Sequence, residues 1–118
     1  EQRAEQLLSQ ASIIRGIKLV FMHEKGLSRE ELMSIASSVV AKSDEALAVV
    51  VTSDQASVHF VVLAGAKAAQ NVNVGSLAKK IALVIEGKGG GSRDFGQGSG
   101  KRIDKISDIP HIIQDALR

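Results

Sequence analysis

The stretch "ALAVVVTSDQASVHFVVLAG", residues 46–65, contains two apolar runs on either side of a short polar segment. Residues 46–53 and 57–65 are rich in Val and other β-formers, which is typical of strands. Only "DQA" separates them, and a connection of this length is typical of a β-hairpin. The sequence therefore predicts two neighbouring antiparallel strands.

The residues before this hairpin predict another strand and a helix. "IKLVFMHE" (17–24) is short, rich in β-formers and bounded by glycines. The following segment starts with Ser28 and Glu31 in the spacing of a capping box. Its apolar positions share one helical face: Leu32, Ala36, Val39 and Val40. A strand, a helix and a strand followed by a hairpin predict a mixed sheet.

Residues 1–15 predict a helix, because their apolar positions fit one helical face and Gly16 would stop it. Those positions are Leu7, Leu8, Ala11 and Ile14. The chain does not start with Met, so we expect a piece of a longer protein. The predicted organisation is the end of a helical stalk (1–15) followed by one globular domain (16–118).

The second half predicts two more helices. One begins at Asn73, a good N-cap, and ends at Gly87. Its apolar stripe consists of Leu77, Ile81, Val84 and Ile85. The other follows a cap at Ser107 or Asp108 and has Pro110 in its first turn. The expected fold class is α/β (α+β), a mixed β-sheet of about four strands with helices packed on it.

Composition limits the classes of function. The 118 residues are 44% hydrophobic and 24% charged, as in ordinary globular domains, and only three are aromatic. The absence of cysteine excludes disulfides and thiolate metal sites. There is neither a signal peptide at the start nor an apolar run of roughly 20 residues. We expect a cytoplasmic chain without a membrane partner.

The net charge of +2 is unevenly distributed along the chain. Residues 1–64 carry −2, residues 65–105 carry +5, and residues 106–118 carry −1. Clustered cations favour a polyanionic partner, because they release counterions from a phosphate backbone together. A solvated lysine surface is the alternative explanation.

Most of the glycines lie in "GKGGGSRDFGQGSGKR", residues 87–102, which contains seven of the eleven glycines and four cations. The segment fails as a P-loop, since Phe95 and Arg102 stand where a glycine and a Ser or Thr are needed. It also follows a helix instead of the first strand, unlike a dinucleotide fingerprint. The three histidines have no ligand spacing. The sequence therefore predicts no catalytic residues and no metal site.

The chemistry that remains is anion binding, because glycine amides can form a nest and the neighbouring cations add charge. The predicted nucleic-acid-binding residues of the Gly-rich loop (87–100) and its end are Lys88, Gly89, Gly90, Gly91, Arg93, Asp94, Gln97, Gly98, Lys101 and Arg102. Predicted secondary basic contacts are Lys67, Lys79 and Lys80. A flexible loop with solubilising cations is the alternative. Phe95 is expected to anchor the loop in the core; an exposed stacking surface is its other possible role.

Two stretches carry a resemblance to a known family. "GLSREELMSIASSVVAK" and "VVLAGAKAAQNVNVGSLAKKIALVIEGKGGGSRDFGQGSGKRIDKI" resemble the C-Ala domain, the C-terminal globular domain of alanyl-tRNA synthetase in the DHH-associated superfamily. The specific part is the glycine run at 89–91, then Arg93-Asp94, Phe95 and Gln97-Gly98. One departure is Gly96, where alanine is common in the family, and we expect this glycine to loosen the loop. Another is a shorter glycine run, interrupted by Lys88.

The resemblance implies a role in binding tRNA. A C-Ala domain binds the outer corner of the tRNA elbow, where the D- and T-loops meet, so that the acceptor end reaches the aminoacylation and editing domains of the same chain. The parent enzyme would use ATP and Mg²⁺, with Zn²⁺ in its editing domain, and this fragment would hold no cofactor. Helical segments of the C-terminal region also imply a homodimer through the N-terminal helix.

Three alternatives stay open. The same domain occurs in DHH-family phosphoesterases, where it closes over single-stranded nucleic acid, and in freestanding editing proteins. The third alternative is an oligomerisation module whose glycine loop is an interface element. The residues alone do not distinguish an RNA partner from a DNA partner.

Overall fold

The two apolar runs form neighbouring strands at the centre of one sheet. The computed structural model describes residues 2–118 and contains four helices: α1 (Gln2–Ser9), α2 (Arg29–Lys42), α3 (Val74–Val84) and α4 (Ile109–Leu117). Its strands are β1 (Ser12–Ile14), β2 (Ile17–His23), β3 (Ala46–Ser53), β4 (Val58–Ala64), β5 (Lys88–Gly91) and β6 (Phe95–Gly100). Short 3-10 helices, Ala68–Gln70 and Ile103–Asp108, precede α3 and α4.

The sheet is mixed, as the sequence predicts, and its strand order is β1-β2-β3-β4-β6-β5. Strands β2 and β3 are parallel, because α2 carries the chain back between them, and all other neighbours are antiparallel. All eight residues of β3 are buried. A strand buried on both faces needs apolar residues without alternation, and the run "ALAVVVTS" supplies them.

Helices cover both faces of the sheet and divide the core in two. Side chains alternate along a strand, so Leu47 and Val49 of β3 face α3 and α4, while Ala48 and Val50 face α1 and α2. The buried residues of α2 are Leu32, Ala36 and Val39, three of the four predicted. The structure is therefore a three-layer arrangement of helices, sheet and helices.

The predicted caps of α2 and α3 are confirmed, whereas Asp108, at the N-cap of α4, forms no side-chain capping hydrogen bond. The Ser28 hydroxyl accepts the Glu31 N–H at 3.1 Å, and the Glu31 carboxylate accepts the Ser28 N–H at 2.9 Å. That backbone hydrogen bond also lowers the pKa of Glu31. At the start of α3, the Asn73 side chain accepts the Ser76 N–H at 3.0 Å. These bonds satisfy donors that the first turn of a helix leaves without an intrahelical partner.

The prediction that residues 1–15 form one helix up to Gly16 is wrong. Helix α1 ends at Ser9, and β1 then pairs antiparallel with β2. The apolar positions serve two different cores: Leu7 packs on the α2 side of the sheet and Ile14 on the α3 side. Consecutive β-branched residues before a tight turn favour a strand, which overrides the helical spacing.

Within residues 2–118 the sheet has six strands, where the sequence analysis expected about four. The additional strands include β5 and β6, which lie inside the predicted Gly-rich loop 87–100. Glycine is depleted in strands, so composition gives no signal for them. Pairing with β4 and the packing of α3 hold this segment extended.

The end of α3 differs from the prediction by one residue. Glu86, not Gly87, has the left-handed conformation, with φ of 54°. The Gly87 N–H donates to the Ala82 carbonyl at 2.8 Å, and the Glu86 N–H donates to the Leu83 carbonyl at 3.2 Å. This is the bonding of a Schellman motif. Gly87 is needed for space instead, since a Cβ there would overlap the Ser99 carbonyl.

No helix within residues 2–118 combines the length and the apolar character needed to cross a bilayer.

The turn between β1 and β2 generates a stability prediction. Arg15 and Gly16 both have positive φ, 54° and 81°, in a two-residue turn of the type that prefers Asn-Gly. We expect Arg15→Asn to raise the free energy of unfolding by about 0.5–1 kcal/mol, because Asn tolerates the left-handed conformation better. Urea unfolding followed by circular dichroism measures this change.

Arg15→Ala is the matched control, since it removes the same side chain without favouring the left-handed region. Its free energy of unfolding should stay within about 0.5 kcal/mol of the parent chain. Equal stabilisation by both substitutions would contradict the explanation from turn conformation.

Candidate nucleic-acid interface

The glycine-rich segment forms a β-hairpin at one edge of the sheet, hereafter the glycine hairpin (residues 88–100). Strand β5 pairs with β6 in the register Lys88↔Ser99 and Gly90↔Gln97, and β6 pairs with β4 on its other side. The predicted site is therefore part of the sheet. Its side chains alternate between two faces with different surroundings.

One face of the glycine hairpin lies directly against α3 and the core. A Cβ built on Gly96 would lie 2.8 Å from the Ala78 Cβ, and one on Gly98 would lie 2.6 Å from the Phe60 ring. Neither distance leaves room for a side chain. These glycines allow a helix and an aromatic ring to touch the strand backbone, which is a known use of glycine within strands.

The expectation that Gly96 loosens the segment is wrong. This residue is buried, and its backbone is covered by Ala78 and Val74 of α3. The small residues Gly75, Ala78 and Ala82 form the contacting side of the helix. Gly96 tightens the packing, because its missing side chain lets α3 approach the sheet.

The ends of α3 are bonded to the same segment. The N–H groups of Val74 and Gly75 donate to the carbonyls of Arg93 and Ser92 at 3.0 and 2.7 Å. At the other end, the Ile85 carbonyl accepts the N–H groups of Lys101 and Arg102 at 2.9 and 3.0 Å. Backbone groups of the helix ends are thereby satisfied within the domain. These two N-terminal donors of α3 do not face an external phosphate.

The other face of the glycine hairpin is open, and it consists of Lys88, Gly90, Gln97 and Ser99. These residues form one wall of a groove of about 900 Å³. Leu27 and Arg29, just before and at the start of α2, also line it, as do Asp54 after β3 and His59 of β4. We call this space the hairpin groove.

Two positive side chains lie in the hairpin groove, and a third reaches its edge. Arg29 and Lys88 line it and are exposed. Lys79 projects from α3 past the edge strand, so that its Cε lies 3.8 Å from the position of a Cβ on Gly90. The groove therefore has a positive rim made from two helices and a strand.

The Gln97 amide is the unusual polar group of the hairpin groove. Its Oε1 atom is buried, and no residue of the described chain gives it a hydrogen bond. A buried acceptor without a donor costs about 1–3 kcal/mol.

Asp54 and His59 are groove residues that the sequence analysis missed. The Asp54 carboxylate accepts the N–H groups of Ala56 and Ser57 at 2.7 and 2.8 Å, and these bonds lower its pKa. The Ser57 hydroxyl joins this carboxylate to the His59 ring nitrogen, 3.2 Å away. His59 was detectable as the one polar residue in the apolar run of β4, whereas Arg29 gave no signal of its position.

Arg102 belongs to the predicted site but is held by two carboxylates. Its guanidinium donates to Glu86 at 2.5 Å and to Asp104 at 2.9 and 2.8 Å. The hydrogen bond from Arg102 lowers the pKa of Asp104 to about 2, and the same pairing raises the pKa of Arg102. Because two carboxylates neutralise its charge, Arg102 attracts a phosphate more weakly than an unpaired cation does.

The other predicted cations are dispersed around the domain. Arg93 lies in the hairpin turn beside Asp94, and its Nε donates to the Ala69 carbonyl at 3.1 Å. Lys101 is exposed after the end of β6. Lys80 lies in a second, smaller cavity of about 160 Å³ between α3 and α4. Lys67 is exposed before the first 3-10 helix.

Phe95 is half-buried against the core on the α2 side. The expectation that it anchors the segment is confirmed. Within residues 2–118, no group of three or more His, Asp or Glu side chains is placed to hold a metal ion.

The chain matches the DHHA1 domain family over residues 16–118. The alanine–tRNA ligase of Francisella philomiragia is 33% identical over 106 residues, covering 86% of this chain and 12% of that protein. The alanine–tRNA ligase of Fusobacterium nucleatum is 32% identical over 108 residues, which cover 88% of this chain and 12% of that protein. The chain thus spans about an eighth of the length of these relatives.

Solved structures share the fold. The C-Ala domain of Aquifex aeolicus alanyl-tRNA synthetase superposes with a TM-score of 0.86 at 20% identity, over 92% of this chain and 97% of that one. A pGpG-specific phosphodiesterase of Vibrio superposes with a TM-score of 0.53 at 14% identity, over 98% of this chain and 37% of that one.

The packing of α3 on the glycine hairpin generates a paired stability prediction. We expect Gly96→Ala to lower the free energy of unfolding by about 1–3 kcal/mol, because its Cβ would press into Ala78. Gly90→Ala, in the adjacent residue pair and on the open face, should change it by less than about 0.5 kcal/mol. Urea unfolding compares both variants with the parent chain.

The double variant Gly96→Ala with Ala78→Gly tests the cause. Removing the Ala78 Cβ makes room for the new one, so part of the lost stability should return. If the two substitutions simply add, the contact between these positions is not the origin of the effect.

The pairing of Arg102 with Asp104 generates a prediction for pH. Because the folded-state pKa of Asp104 is depressed, the pair contributes stability above the ordinary pKa of 3.8 and loses it as the pH falls through about 2. Carboxyl NMR titration should give a pKa near 2 for Asp104, and Arg102→Gln should return it toward 3.8. An unchanged value in that variant would contradict the pairing.

Proposed function

Because the chain belongs to the DHHA1 domain family, we propose that it is the tRNA-binding C-terminal domain of an alanine–tRNA ligase. In this proposal the domain anchors the tRNA elbow, so that the acceptor end of one tRNA visits the aminoacylation and editing sites in turn. The observation that carries the proposal is the open face of the glycine hairpin with cations at its rim. It is supported by curated relatives that are alanine–tRNA ligases.

The charge distribution supports a nucleic-acid partner. The segment 65–105 has a net charge of +5, and it includes α3 and the glycine hairpin. Lys79 and Lys80 are exposed on the outer side of α3, and Lys88 is exposed on the neighbouring edge strand. Cations gathered on one region of a domain give the salt-dependent attraction to phosphate that nucleic-acid binding requires.

The type of surface supports a folded RNA. Elbow recognition relies on shape and on contacts to phosphate and ribose, which rigid backbone and flanking cations can provide. The described residues of the glycine hairpin include one aromatic side chain, Phe95, and it packs inward. A surface without an exposed aromatic platform does not suit the stacking of several splayed bases.

In this proposal, the aminoacylation and editing reactions of the parent enzyme take place outside this chain. ATP, Mg²⁺ and Zn²⁺ would bind in the aminoacylation and editing domains, and residues 2–118 contain no set of side chains that fits a metal ion. The domain contributes position instead of catalysis. A tethered anchor raises the local concentration of the acceptor end at both sites.

The proposed homodimer has less support from the N-terminal helix. Ala4 of α1 is buried, and Leu7 and Leu8 pack against the core shared with α2. These apolar residues already serve the fold of the domain. The ion pairs Arg3–Glu24 and Lys42–Glu5 also join α1 to its own domain.

A second candidate is the nucleic-acid-binding domain of a DHH-family phosphoesterase, which the fold shared with the Vibrio phosphodiesterase favours. Hydroxyl-radical footprinting of full-length tRNA with the chain separates the two. Protection confined to the elbow supports the ligase domain. Protection confined to single-stranded ends favours the phosphoesterase and overturns the elbow proposal.

Two exposed lysines, Lys88 on the open face and Lys101 just after β6, generate a salt prediction. We expect tRNA affinity to fall with salt, and Lys88→Ala and Lys101→Ala each to reduce the log–log slope by about one, as loss of a phosphate contact does. Arg102→Ala should reduce it less, because Glu86 and Asp104 already neutralise that side chain. Fluorescence anisotropy at several salt concentrations gives the slopes.

Lys18→Ala is the matched control. Lys18 pairs in register with Ala46, at the end of β3 opposite to the hairpin groove, and it forms an ion pair with Glu45. The slope for this variant should equal that of the parent chain. Equal slopes for the Lys88, Lys101 and Lys18 variants would show that neither the open face nor the end of β6 contacts phosphate.

A further inference from the structure

Strand β5 is an edge strand of the sheet, and part of its backbone points away from β6. At the hairpin turn, the Ser92 N–H donates to the Phe95 carbonyl at 2.7 Å, which fixes the alternation of the ladder. The N–H groups of Gly89 and Gly91 and the Gly89 carbonyl therefore point outward. Backbone groups of this kind can bond to a strand of another molecule.

The Lys79 side chain passes around this edge. It starts from α3, which packs on the face of β5 where a Cβ on Gly89 would meet Ala78 and Ala82. Its Cε nevertheless lies 3.8 Å from the position of a Cβ on Gly90, which points to the opposite face. Lys79 is exposed, and within residues 2–118 it forms no ion pair, so its charge is not neutralised.

A second copy that paired through this edge would bring two Lys79 side chains together. In a two-fold antiparallel pair, the Gly91 N–H of each copy would donate to the Gly89 carbonyl of the other, which centres the pair on Gly90. Opposed residues at such a centre have Cα atoms about 4.5 Å apart. Because each Lys79 lies beside Gly90, the two ammonium groups would meet where physiological salt, with a Debye length of about 8 Å, screens them only in part.

An apolar side chain next to the same edge makes its protection necessary. Leu83 follows Lys79 by four residues, so the two side chains lie on the same side of α3. Leu83 is 75% exposed. An open strand edge beside an exposed apolar side chain is a surface that favours self-association.

We propose that Lys79 keeps the outer edge of β5 from pairing with a second copy of this chain. Lysine is a common protection of edge strands. Strand β5 itself has one charged residue, Lys88 at its start, followed by three glycines. The protecting side chain therefore comes from the neighbouring helix. This inference does not depend on the proposed function.

Sedimentation velocity over a range of protein concentrations tests the proposal. We expect Lys79→Ala to self-associate at least about tenfold more strongly than the parent chain, because two like charges no longer meet. Alanine is the strongest helix former, so α3 should keep its fold.

Lys80→Ala is the matched control. Lys80 is the next residue of the same helix and is also exposed, but it lies in the smaller cavity on the side of α4. This variant should self-associate no more than the parent chain. Equal self-association of Lys79→Ala and Lys80→Ala would overturn the proposal.

Reversal of the charge separates repulsion from the bulk of the side chain. Lys79→Glu should self-associate no more than the parent chain, because two carboxylates would then meet. An equimolar mixture of this variant with the parent chain should associate at least about tenfold more strongly than either protein alone, since opposite charges meet. A mixture that associates no more strongly than its components would contradict the assigned role of the charge.

Amide hydrogen exchange locates the contact in Lys79→Ala. At concentrations where this variant associates, the Gly91 amide should exchange at least about tenfold more slowly than in dilute solution, because it gains a hydrogen bond. The Ile13 amide of β1, at the opposite edge of the sheet, is the internal control and should keep its rate. Association without protection of Gly91 would place the contact elsewhere and overturn the proposal.

Discussion

The bonding of helix α3 to the glycine hairpin is the constraint on which the rest of the structure depends. The helix starts with N–H groups bonded to the hairpin turn and ends with a carbonyl bonded to the residues after β6. Between these ends, small helix residues lie against glycine backbone. An 11-residue helix is about 16 Å long, close to the length of a five-residue strand, so both ends can be bonded at once.

This arrangement separates the two faces of the segment. Glycines at alternate positions bring one face against α3 and Phe60, where no ligand can enter. The face that remains, with Lys88, Gly90 and Gln97, is open between the edge of the sheet and the start of α2. The packing of α3 therefore determines which side of the glycine hairpin is open to a binding partner, although glycines occur on both sides.

Local pairing determines which cations are available to a partner. The planar guanidinium of Arg102 suits phosphate, but Glu86 and Asp104 hold it through three hydrogen bonds. Lys88 is exposed in the hairpin groove, and within residues 2–118 it forms no ion pair with a carboxylate. Summed charge along the sequence identifies the basic half of the chain, yet it does not distinguish these two side chains.

The sequence by itself determined the central strands, the caps of α2 and α3, and the basic half of the chain. These features are local: Ser28 and Glu31 are three residues apart, and the apolar run of β3 is continuous. Only the tertiary structure decided that Ile14 belongs to a strand and that residues 88–100 form a hairpin. Glycine has little intrinsic preference for a strand, so the extended conformation depends on pairing with β4 and contact with α3. The hairpin groove likewise required the fold, because its lining comes from residues more than fifty positions apart, and no local pattern predicts that Arg29 and Lys88 line the same groove.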